Sequence, residues 1–322
     1  MARAHSTYDV LGIGCCALDI TFEVESYPQP DQKVRVPSFG MQGGGLMATA
    51  LAAVARLGGS SAFIASLGDD SFAQFAVDEL RDEGVDVSHI RRVPDKSILT
   101  ALIIADRSSG TRTVLFSEQH QPQTEPEQVT KELVSRARVL HVDNFQPEAA
   151  AKAAEIARSA SIPVTMDLEM GGQEPDRLLE LGDYAIVSLD FVRDRFGAEN
   201  MQEGAQALFE DVAGHGGRAA VVTNGDQGAF LKSAGIEHFQ PAYSVDVVDT
   251  TGCGDVFHGA FALGVAHEWD LKTVMRVSAA TAGLKARKLG GRAGIPDMDE
   301  VTRFLENTHG AAWLTSSSDE GV

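Results

Sequence analysis

The second half of the chain alternates short runs of β-branched residues with longer stretches of helical pattern, and this alternation restricts the fold more than any other feature. Strands are predicted at 138–142, 164–167, 184–188 and 219–223, and helices at 147–159, 255–267, 271–284 and 298–307. Because such strands pair in parallel through helical crossovers, the pattern predicts an α/β fold: a central, mostly parallel sheet with helices on both faces. At 322 residues, the chain is long enough for one large domain and a small accessory element, or for two domains.

Two β-rich segments, residues 20–39 and 98–118, interrupt this alternation. The first mixes β-branched residues with three prolines, and the second holds two strand-like runs joined by the turn DRSSG. If the two segments pair in space, they form a small sheet that is either a lid over a site or an edge extension without a role. We therefore predict a main domain at 1–19, 40–97 and 119–314, this small sheet at 20–39 and 98–118, and a disordered tail at 315–322. Residues 9–19 are predicted to form one buried strand.

Charge and cysteine content exclude some classes of partner. The chain has 27 basic and 46 acidic residues and a net charge of -19, so phosphate backbones and anionic lipid surfaces are expected to be repelled. We therefore expect no nucleic-acid partner and no membrane partner. The three cysteines Cys15, Cys16 and Cys253 form no disulfide framework and no metal-ligand spacing, which favours a cytoplasmic location.

Residues 245–267, VDVVDTTGCGDVFHGAFALGVAH, carry the most specific chemistry. A strand is predicted to run into Asp249, and Gly252-Cys253-Gly254 then turns into a helix. Glycines let the backbone approach a ligand closely, and the N-terminus of a helix directs unpaired N–H groups at it, as binding of a phosphoryl group requires. Asp255 is then placed to accept a proton from an attacking hydroxyl. The alternative is that Asp255 only caps the helix.

The stretch DTTGCGD, residues 249–255, matches the D-T-x-G-x-G-D pattern of the ribokinase-like, or PfkB-type, carbohydrate kinases. Other resembling motifs occur in the family's order: Gly12, Gly14 and Asp19 in the first strand, Gly44, Gly45 and Ala48 in a second glycine motif, and Thr223, Gly225 and Gly228 in VVTNGDQGA. The resemblance covers roughly residues 8–307 and implies a ribokinase-like fold in which residues 20–39 and 98–118 form a β lid.

The resemblance also implies roles for individual residues. Asp255 would be the general base, and the backbone of Gly252, Cys253 and Gly254 the anion hole. The implied sugar-binding residues are Asp19, Lys33, Gly44, Gly45, Thr49 and Asn144. The implied ATP-binding residues are Thr223, Gly225, Gly228, Gly283 and Ala286, with Mg²⁺ as the accompanying ion. Asp249 and Thr251 stand where many members bind a monovalent cation such as K⁺.

Several positions depart from the family pattern. Thr49 replaces an asparagine that binds the sugar, and the N-x-x-E motif is absent at 188–191, where Asp190 is the nearest substitute. GGGLMATALAAVARLG and LGGRAGIP resemble the branch that contains sulfofructose kinase, whose sulfonate-binding lysine matches Lys33. In that pocket, however, Asn144 stands in the place of an arginine and Phe116 in the place of an asparagine.

The predicted reaction is therefore transfer of the γ-phosphoryl group of ATP to a hydroxyl, expected to be primary, of a ketose-like hexose or another sugar. One alternative is a nucleoside kinase on the same fold, whose aromatic slot would come from Phe22, Tyr27, Phe39 or Phe116. The other is a catalytically silent sugar- or nucleotide-binding relative. We further predict a homodimer through the lid. The helix dipole is expected to keep Asp255 ionised at neutral pH.

Overall fold

The computed structural model describes residues 7–109, 111–170 and 175–310. The predicted tail at 315–322 lies outside these residues. Within the described ranges, a nine-stranded sheet contains β1 (Tyr8–Ile13), β4 (Ser61–Gly68), β5 (Ile90–Val93), β8 (Ala137–Asp143), β9 (Val164–Leu168), β10 (Tyr184–Ser188), β11 (Ala219–Thr223), β12 (Ala229–Ser233) and β13 (Glu237–Gln240). The strand order is β13-β12-β11-β10-β9-β8-β1-β4-β5, and every pair from β11 to β5 is parallel.

Helices cover both faces of this sheet, which confirms the predicted fold class. They are α1 (Leu46–Arg56), α2 (Ser71–Asp82), α3 (Lys131–Val134), α4 (Pro147–Ser159), α5 (Pro175–Leu181), α6 (Leu189–Phe196), α7 (Met201–Gly214), α8 (Cys253–Ala266), α9 (Leu271–Lys285) and α10 (Met298–His309). Helices α3 to α7 pack on one face, and α1, α2, α8, α9 and α10 pack on the other. The strands separate the two cores by alternation: Leu140 and Val142 point to the first core, and Val139 points to the second.

Four further strands form a small separate sheet, which confirms that the two interrupting segments pair. In the part of the chain that is described, its order is β3-β2-β6-β7, with bounds Ala17–Val24 for β2, Ser38–Gly44 for β3, Leu99–Asp106 for β6 and Thr111–Ser117 for β7. The sheet extends beyond the predicted first segment at both ends, since β2 begins at Ala17 and β3 ends at Gly44. We call these four strands the small sheet.

The two faces of the small sheet differ in chemistry. Registered partners share a face, so Phe22 lies beside Phe39, and Ile20 lies between Met41 and Leu102. This apolar face is open to solvent: Phe39 is 65% exposed and stacks on Phe22 with ring centroids 5.8 Å apart. The opposite face carries Asp19, Gln42 and Arg112. Gln42 lies against Gly290, Arg112 bonds to Thr250, and the charge of Arg292 acts on Asp19.

The single strand predicted over residues 9–19 is wrong. The chain forms β1 and β2 in different sheets, with a break at residues 14–16. The cause is Asp143: its carboxylate accepts a hydrogen bond from Cys15 N at 2.7 Å and occupies the space that a Cβ at Gly14 would need. The backbone at this point is therefore bonded to a side chain instead of to a neighbouring strand.

The strand predicted to run into Asp249 is also wrong. Residues 241–252 contain no strand, and Val247 and Val248 are about 60% exposed. Their segment is attached to the end of α9, because Val248 N and Asp249 N both donate to the carbonyl of Ala286, at 2.8 and 3.0 Å. A run of β-branched residues predicts an extended backbone but not whether a strand is available to pair with it.

Candidate active site

The candidate site lies at the carboxyl ends of the parallel strands. In the nine-stranded sheet, β4 lies beside β1 on one side and β8 lies beside β1 on the other. The chain therefore extends the sheet first in one direction and then in the opposite direction, so the strand order reverses between β1 and β8. Crevices at such reversals are the usual ligand sites of open α/β sheets. Here Gly14 follows β1 and the fully buried Asp143 ends β8.

Asp19 and its glycine neighbours form one side of this crevice. Asp19 is only 8% exposed, and its carboxylate lies where a Cβ at Gly44 would be. Gly45 has φ of 88°, and a Cβ there would lie 2.7 Å from Cys16 Cα, so these positions require glycine. Burial raises the pKa of Asp19 to about 6, although the charge of Arg292 acts in the opposite direction.

Thr49 contacts Arg292. The buried guanidinium of Arg292 donates from Nε to Thr49 Oγ1 at 3.3 Å and from Nη2 to the carbonyl of Gly44 at 2.8 Å. Arg292 thereby links two of the predicted sugar-binding residues, Thr49 and Gly44.

Two other residues predicted to bind the sugar, Asn144 and Lys33, do not share these contacts with Arg292. The amide of Asn144 forms two hydrogen bonds of 3.0 Å with the backbone of Glu169, one as donor and one as acceptor. Its side chain therefore joins the loops after β8 and β9. Lys33 is exposed in the loop between β2 and β3, outside the strands of the small sheet.

The residues that the resemblance assigns to the anion hole lie at the start of helix α8. Gly252 is its N-cap with φ of 76°, and no side chain caps the helix, so the interpretation of Asp255 as a cap is wrong. A Cβ at Gly252 would lie 2.6 Å from Gly291 O, which explains the glycine. No side chain therefore competes for the N–H groups of the first turn of α8, although the N–H of Cys253 donates to the carbonyl of Thr250 at 3.2 Å.

Asp255 does not have the low pKa that the helix dipole predicts. Burial raises its pKa to about 7, repulsion from Glu169 and then from Asp19 adds to this, and Arg292 and Lys285 act against it. Desolvation and repulsion from two carboxylates therefore dominate the pKa of Asp255. Burial likewise raises the pKa of the Cys253 thiol, although Lys285 lowers it.

A cavity of about 640 Å³ opens beside the start of α8. Its lining includes Cys253 and Gly254 and all five residues predicted to bind nucleotide: Thr223, Gly225, Gly228, Gly283 and Ala286. Thr223 ends β11, and Gly228 has φ of 91° with no room for a Cβ next to Gln240 O. Phe257 and Tyr243 add aromatic surface to the wall.

Asp249 is engaged in internal hydrogen bonds. Its Oδ1 accepts from Thr251 N and Oγ1 at 2.9 and 2.7 Å, and its Oδ2 accepts from Gly290 N at 2.7 Å. These bonds lower the pKa of Asp249 against the effect of burial. The carboxylate thus joins residues 249–251 to the loop after α9.

Asp190, the nearest substitute for the missing N-x-x-E glutamate, faces solvent. Its side chain is 77% exposed and pairs with Arg193 at 3.2 Å on α6. Ser188 caps the same helix by accepting from Phe191 N. Among the residues that are described, no group of three or more His, Cys, Asp or Glu could hold a metal ion by itself.

Two basic residues near the site are not expected from motifs. Arg112 on β7 donates to Thr250 Oγ1 at 2.9 Å and reaches the cavity. Lys285 is fully buried at the end of α9. Lys285 follows Thr281 by four residues and Val277 by eight, so the buried face of the helix is a signal that could have identified it.

Comparisons with known proteins agree with this geometry. Residues 8–298 match the model described as pfkB family carbohydrate kinase. The chain is 28% identical over 300 residues to an ATP-dependent ribose-1-phosphate kinase of Halopiger xanaduensis, covering 92% of this chain and 97% of that protein. It is 29% identical over 299 residues to fructokinase-1 of Oryza sativa subsp. japonica, covering 84% and 90%. A ribokinase structure from Arabidopsis thaliana, complexed with ribose and ATP, shares the fold with a TM-score of 0.81 at 24% identity, covering 93% and 99%.

Proposed function

Since the chain belongs to the pfkB family of carbohydrate kinases, and is thereby a phosphotransferase with a sugar hydroxyl as acceptor, we propose that it transfers the γ-phosphoryl group of ATP to a primary hydroxyl of a ketose-like hexose. The observation that carries this proposal is the position of Asp255. It lies in the first turn of an uncapped helix, between the cavity and the crevice that holds Asp19.

In this mechanism Asp19 accepts hydrogen bonds from sugar hydroxyls and so orients the acceptor. Asp255 takes the proton as the hydroxyl oxygen attacks the γ-phosphorus, and ADP leaves. The backbone at 252–254 faces the charge that spreads over the transferring group. A carboxylate with a pKa of about 7 is a better base near neutral pH than an ordinary aspartate.

The proposal that ATP is the phosphoryl donor rests on the cavity beside the start of α8. Its five predicted residues come from β11, the turn after it and α9, and Gly225 and Gly228 allow phosphates to approach the backbone. Thr223 contributes a hydroxyl at the end of β11.

A magnesium ion would fit beside the carboxylates Glu169 and Asp255, which lie near the backbone proposed to face the phosphates. Glu169 and Asp255 repel each other, and a divalent cation would relieve this repulsion. Proteins commonly hold Mg²⁺ through one or two carboxylates together with the nucleotide phosphates, so a dedicated cage is not required. When bound, the ion would neutralise charge on the β- and γ-phosphates.

The acceptor is proposed to be uncharged, because Asp19, Asp143 and Glu169 surround the crevice and would repel an anionic substituent. Fructokinase-1 among the relatives favours a ketohexose. The nucleoside alternative loses two of its four candidate aromatics, because Phe22 and Phe39 stack on the outer, apolar face of the small sheet; Phe116 lies on the same face as Asp19.

The test is a transfer assay with radiolabelled ATP against fructose, tagatose, ribose, ribose 1-phosphate, 6-deoxy-6-sulfofructose and adenosine. We expect a neutral ketohexose to give the highest kcat/KM, with the label recovered on a primary hydroxyl. Highest efficiency on adenosine would support the nucleoside kinase, and highest efficiency on an anionic sugar would contradict the uncharged acceptor.

The proposal extends to location and assembly. The small sheet is proposed to act as a lid, because Asp19, Gln42 and Arg112 on one face meet residues around the anion hole. Its apolar outer face is proposed to join two copies of the chain.

A cytoplasmic location is supported by three cysteines that are all unpaired. No helix in the described ranges is long and apolar enough to cross a membrane.

Dimer formation can be tested by light scattering coupled to gel filtration. Phe39→Glu places a charge on the apolar face and is expected to give a monomer, whereas Phe72→Glu on α2, also exposed, should leave the mass unchanged. Equal masses for the two variants would exclude this face as the interface.

A further inference from the structure

A lysine ammonium group is buried beneath the anion-hole segment. Lys285 is 0% exposed, although it is one of the longest side chains in the protein. Its Nζ donates to the main-chain carbonyl of Asp249 at 3.0 Å. Lysine is almost never fully buried unless it is paired, so its position here calls for a reason.

The surroundings of Lys285 explain why a positive charge is tolerated there. Burial lowers the pKa of Lys285, but Cys253, Asp249 and Asp255 each raise it; Arg112 on the small sheet acts with burial. In return, Lys285 lowers the pKa values of Asp249, Cys253 and Asp255. The ammonium group is therefore a positive charge that acts both on Asp249 and on the start of α8, where Arg292 also acts on Asp255.

Lys285 is also part of a group of bonds that fixes residues 248–251. The neighbouring Ala286 carbonyl accepts from Val248 N and Asp249 N, and Gly290 N donates to the carboxylate of Asp249. The carbonyl of Asp249 takes no part in these bonds and instead accepts a hydrogen bond from Lys285 Nζ. The end of α9 thus holds the residues that precede the anion hole by backbone bonds and by one charged side chain.

We propose that Lys285 is the built-in cation of the phosphate site, which orients the backbone at 249–254 and balances the charge of Asp249 and Asp255. This inference rests on the proposed kinase function. A K⁺ ion was predicted at Asp249 and Thr251. In this proposal, the ammonium group of Lys285 supplies that positive charge instead. Lys285 is a positioning residue, because it acts through the segment that contacts the phosphates.

Two consequences follow from a built-in ammonium group. The wild-type protein does not require a particular monovalent cation, because the charge is covalently attached. Removal of the ammonium group in Lys285→Met leaves a space next to the Asp249 carbonyl of the size of NH₄⁺ or K⁺. A free ion of that size can then replace part of the lost charge.

The experiment measures kcat and KM of wild type, Lys285→Met and Lys288→Met in Na⁺, K⁺, NH₄⁺ or choline salts at equal ionic strength. Lys288 is an exposed lysine three residues further on and serves as the matched control. We expect wild type and Lys288→Met to change less than about twofold among the salts. Lys285→Met should lose on the order of 10²-fold in kcat in Na⁺, as for the loss of one group that stabilises an oxyanion, and regain a large part of it in K⁺ or NH₄⁺.

Binding of adenylyl imidodiphosphate in the same salts gives a readout that does not need turnover. If no sugar is phosphorylated by wild type, the proposed function fails, but cation-dependent nucleotide binding by Lys285→Met alone still supports the built-in cation. If Lys285→Met does not fold, Lys285→Gln keeps a hydrogen-bond donor without the charge and takes its place. Wild-type activation by K⁺, or a folded Lys285 variant that is as active as wild type or inactive in every salt, would overturn the inference.

Discussion

The proton acceptor of a kinase must be ionised when the sugar binds and basic enough to accept a proton during transfer. As the proposed acceptor, Asp255 would meet both needs, because burial and the nearby carboxylates Glu169 and Asp19 raise its pKa to about 7, while Arg292 and Lys285 keep it from rising further. The residue is thus tuned by its neighbours rather than by the helix dipole. The acidic environment that tunes it also disfavours anionic acceptors.

The first prediction concerns Glu169→Gln. Removing this charge removes the largest repulsion on Asp255, so the pKa of Asp255 falls and the acid limb of the pH profile moves to lower pH. The measurement is kcat/KM for ATP against pH, which reports groups of the free enzyme. The exposed Glu148→Gln is the control and should keep the wild-type limb. An unchanged limb in Glu169→Gln would show that Asp255 does not set the pH dependence.

At the scale of elements, close packing between helices positions the start of α8. Gly259 faces α1 so closely that a Cβ would overlap the carbonyl of Ala50. Because this contact is with backbone, it cannot be relieved by a change of rotamer. Helix α1 carries Thr49 and α8 carries Asp255, so their contact sets the distance between the sugar side and the base.

The second prediction is that Gly259→Ala destabilises the protein by about 1–3 kcal/mol through overpacking. Gly214→Ala, at the end of α7 with open space around it, should be neutral or stabilising by up to about 1 kcal/mol. Urea unfolding monitored by circular dichroism compares the two. Similar stabilities for both variants would contradict the close contact between α1 and α8.

Element bounds were predicted best where local signals are strong. Helix α4 was predicted with its exact bounds because Pro147 starts it and its alanine face is periodic, and β10 was predicted exactly as well. The break in the first strand could not be predicted, because it depends on Asp143, which is distant in sequence. The same holds for the pKa of Asp255 and for the contact of Lys285 with Asp249, which depend on three-dimensional neighbours.

At the scale of the whole molecule, the buried carboxyl groups at the sheet edge oppose stability at neutral pH. Burial raises the pKa of Asp143 to about 7 and of Asp19 to about 6. Their folded pKa values exceed the ordinary value of 3.8, so the native state binds more protons, and stability is lost as pH rises toward those values. His141, whose pKa burial lowers to about 4, acts in the opposite direction below its ordinary value of 6.5.

The third prediction is therefore that unfolding free energy falls from about pH 5 to about pH 7, the range over which the raised carboxyl groups lose protons. Each such group contributes on the order of 1 kcal/mol per pH unit in that range. Burial also raises the pKa of Asp167 and lowers that of His258, so four carboxyl groups (Asp143, Asp167, Asp255 and Asp19) oppose two imidazoles (His141 and His258). Urea titrations at several pH values measure this dependence. Stability that rises over the same range would mean that the carboxyl groups are ionised in the native state.

The central claim is that Asp255 accepts the proton of the sugar hydroxyl, and Asp255→Asn tests it most directly. The change keeps the shape of the side chain and leaves the backbone of the anion hole intact. We predict that kcat falls by about 10²–10⁴-fold, the usual effect of losing a general base, while adenylyl imidodiphosphate binds with unchanged affinity. Asp190→Asn, at an exposed aspartate on α6, should keep wild-type turnover. If Asp255→Asn turns over the best sugar within a few-fold of wild type, the assignment of Asp255 as the base is contradicted.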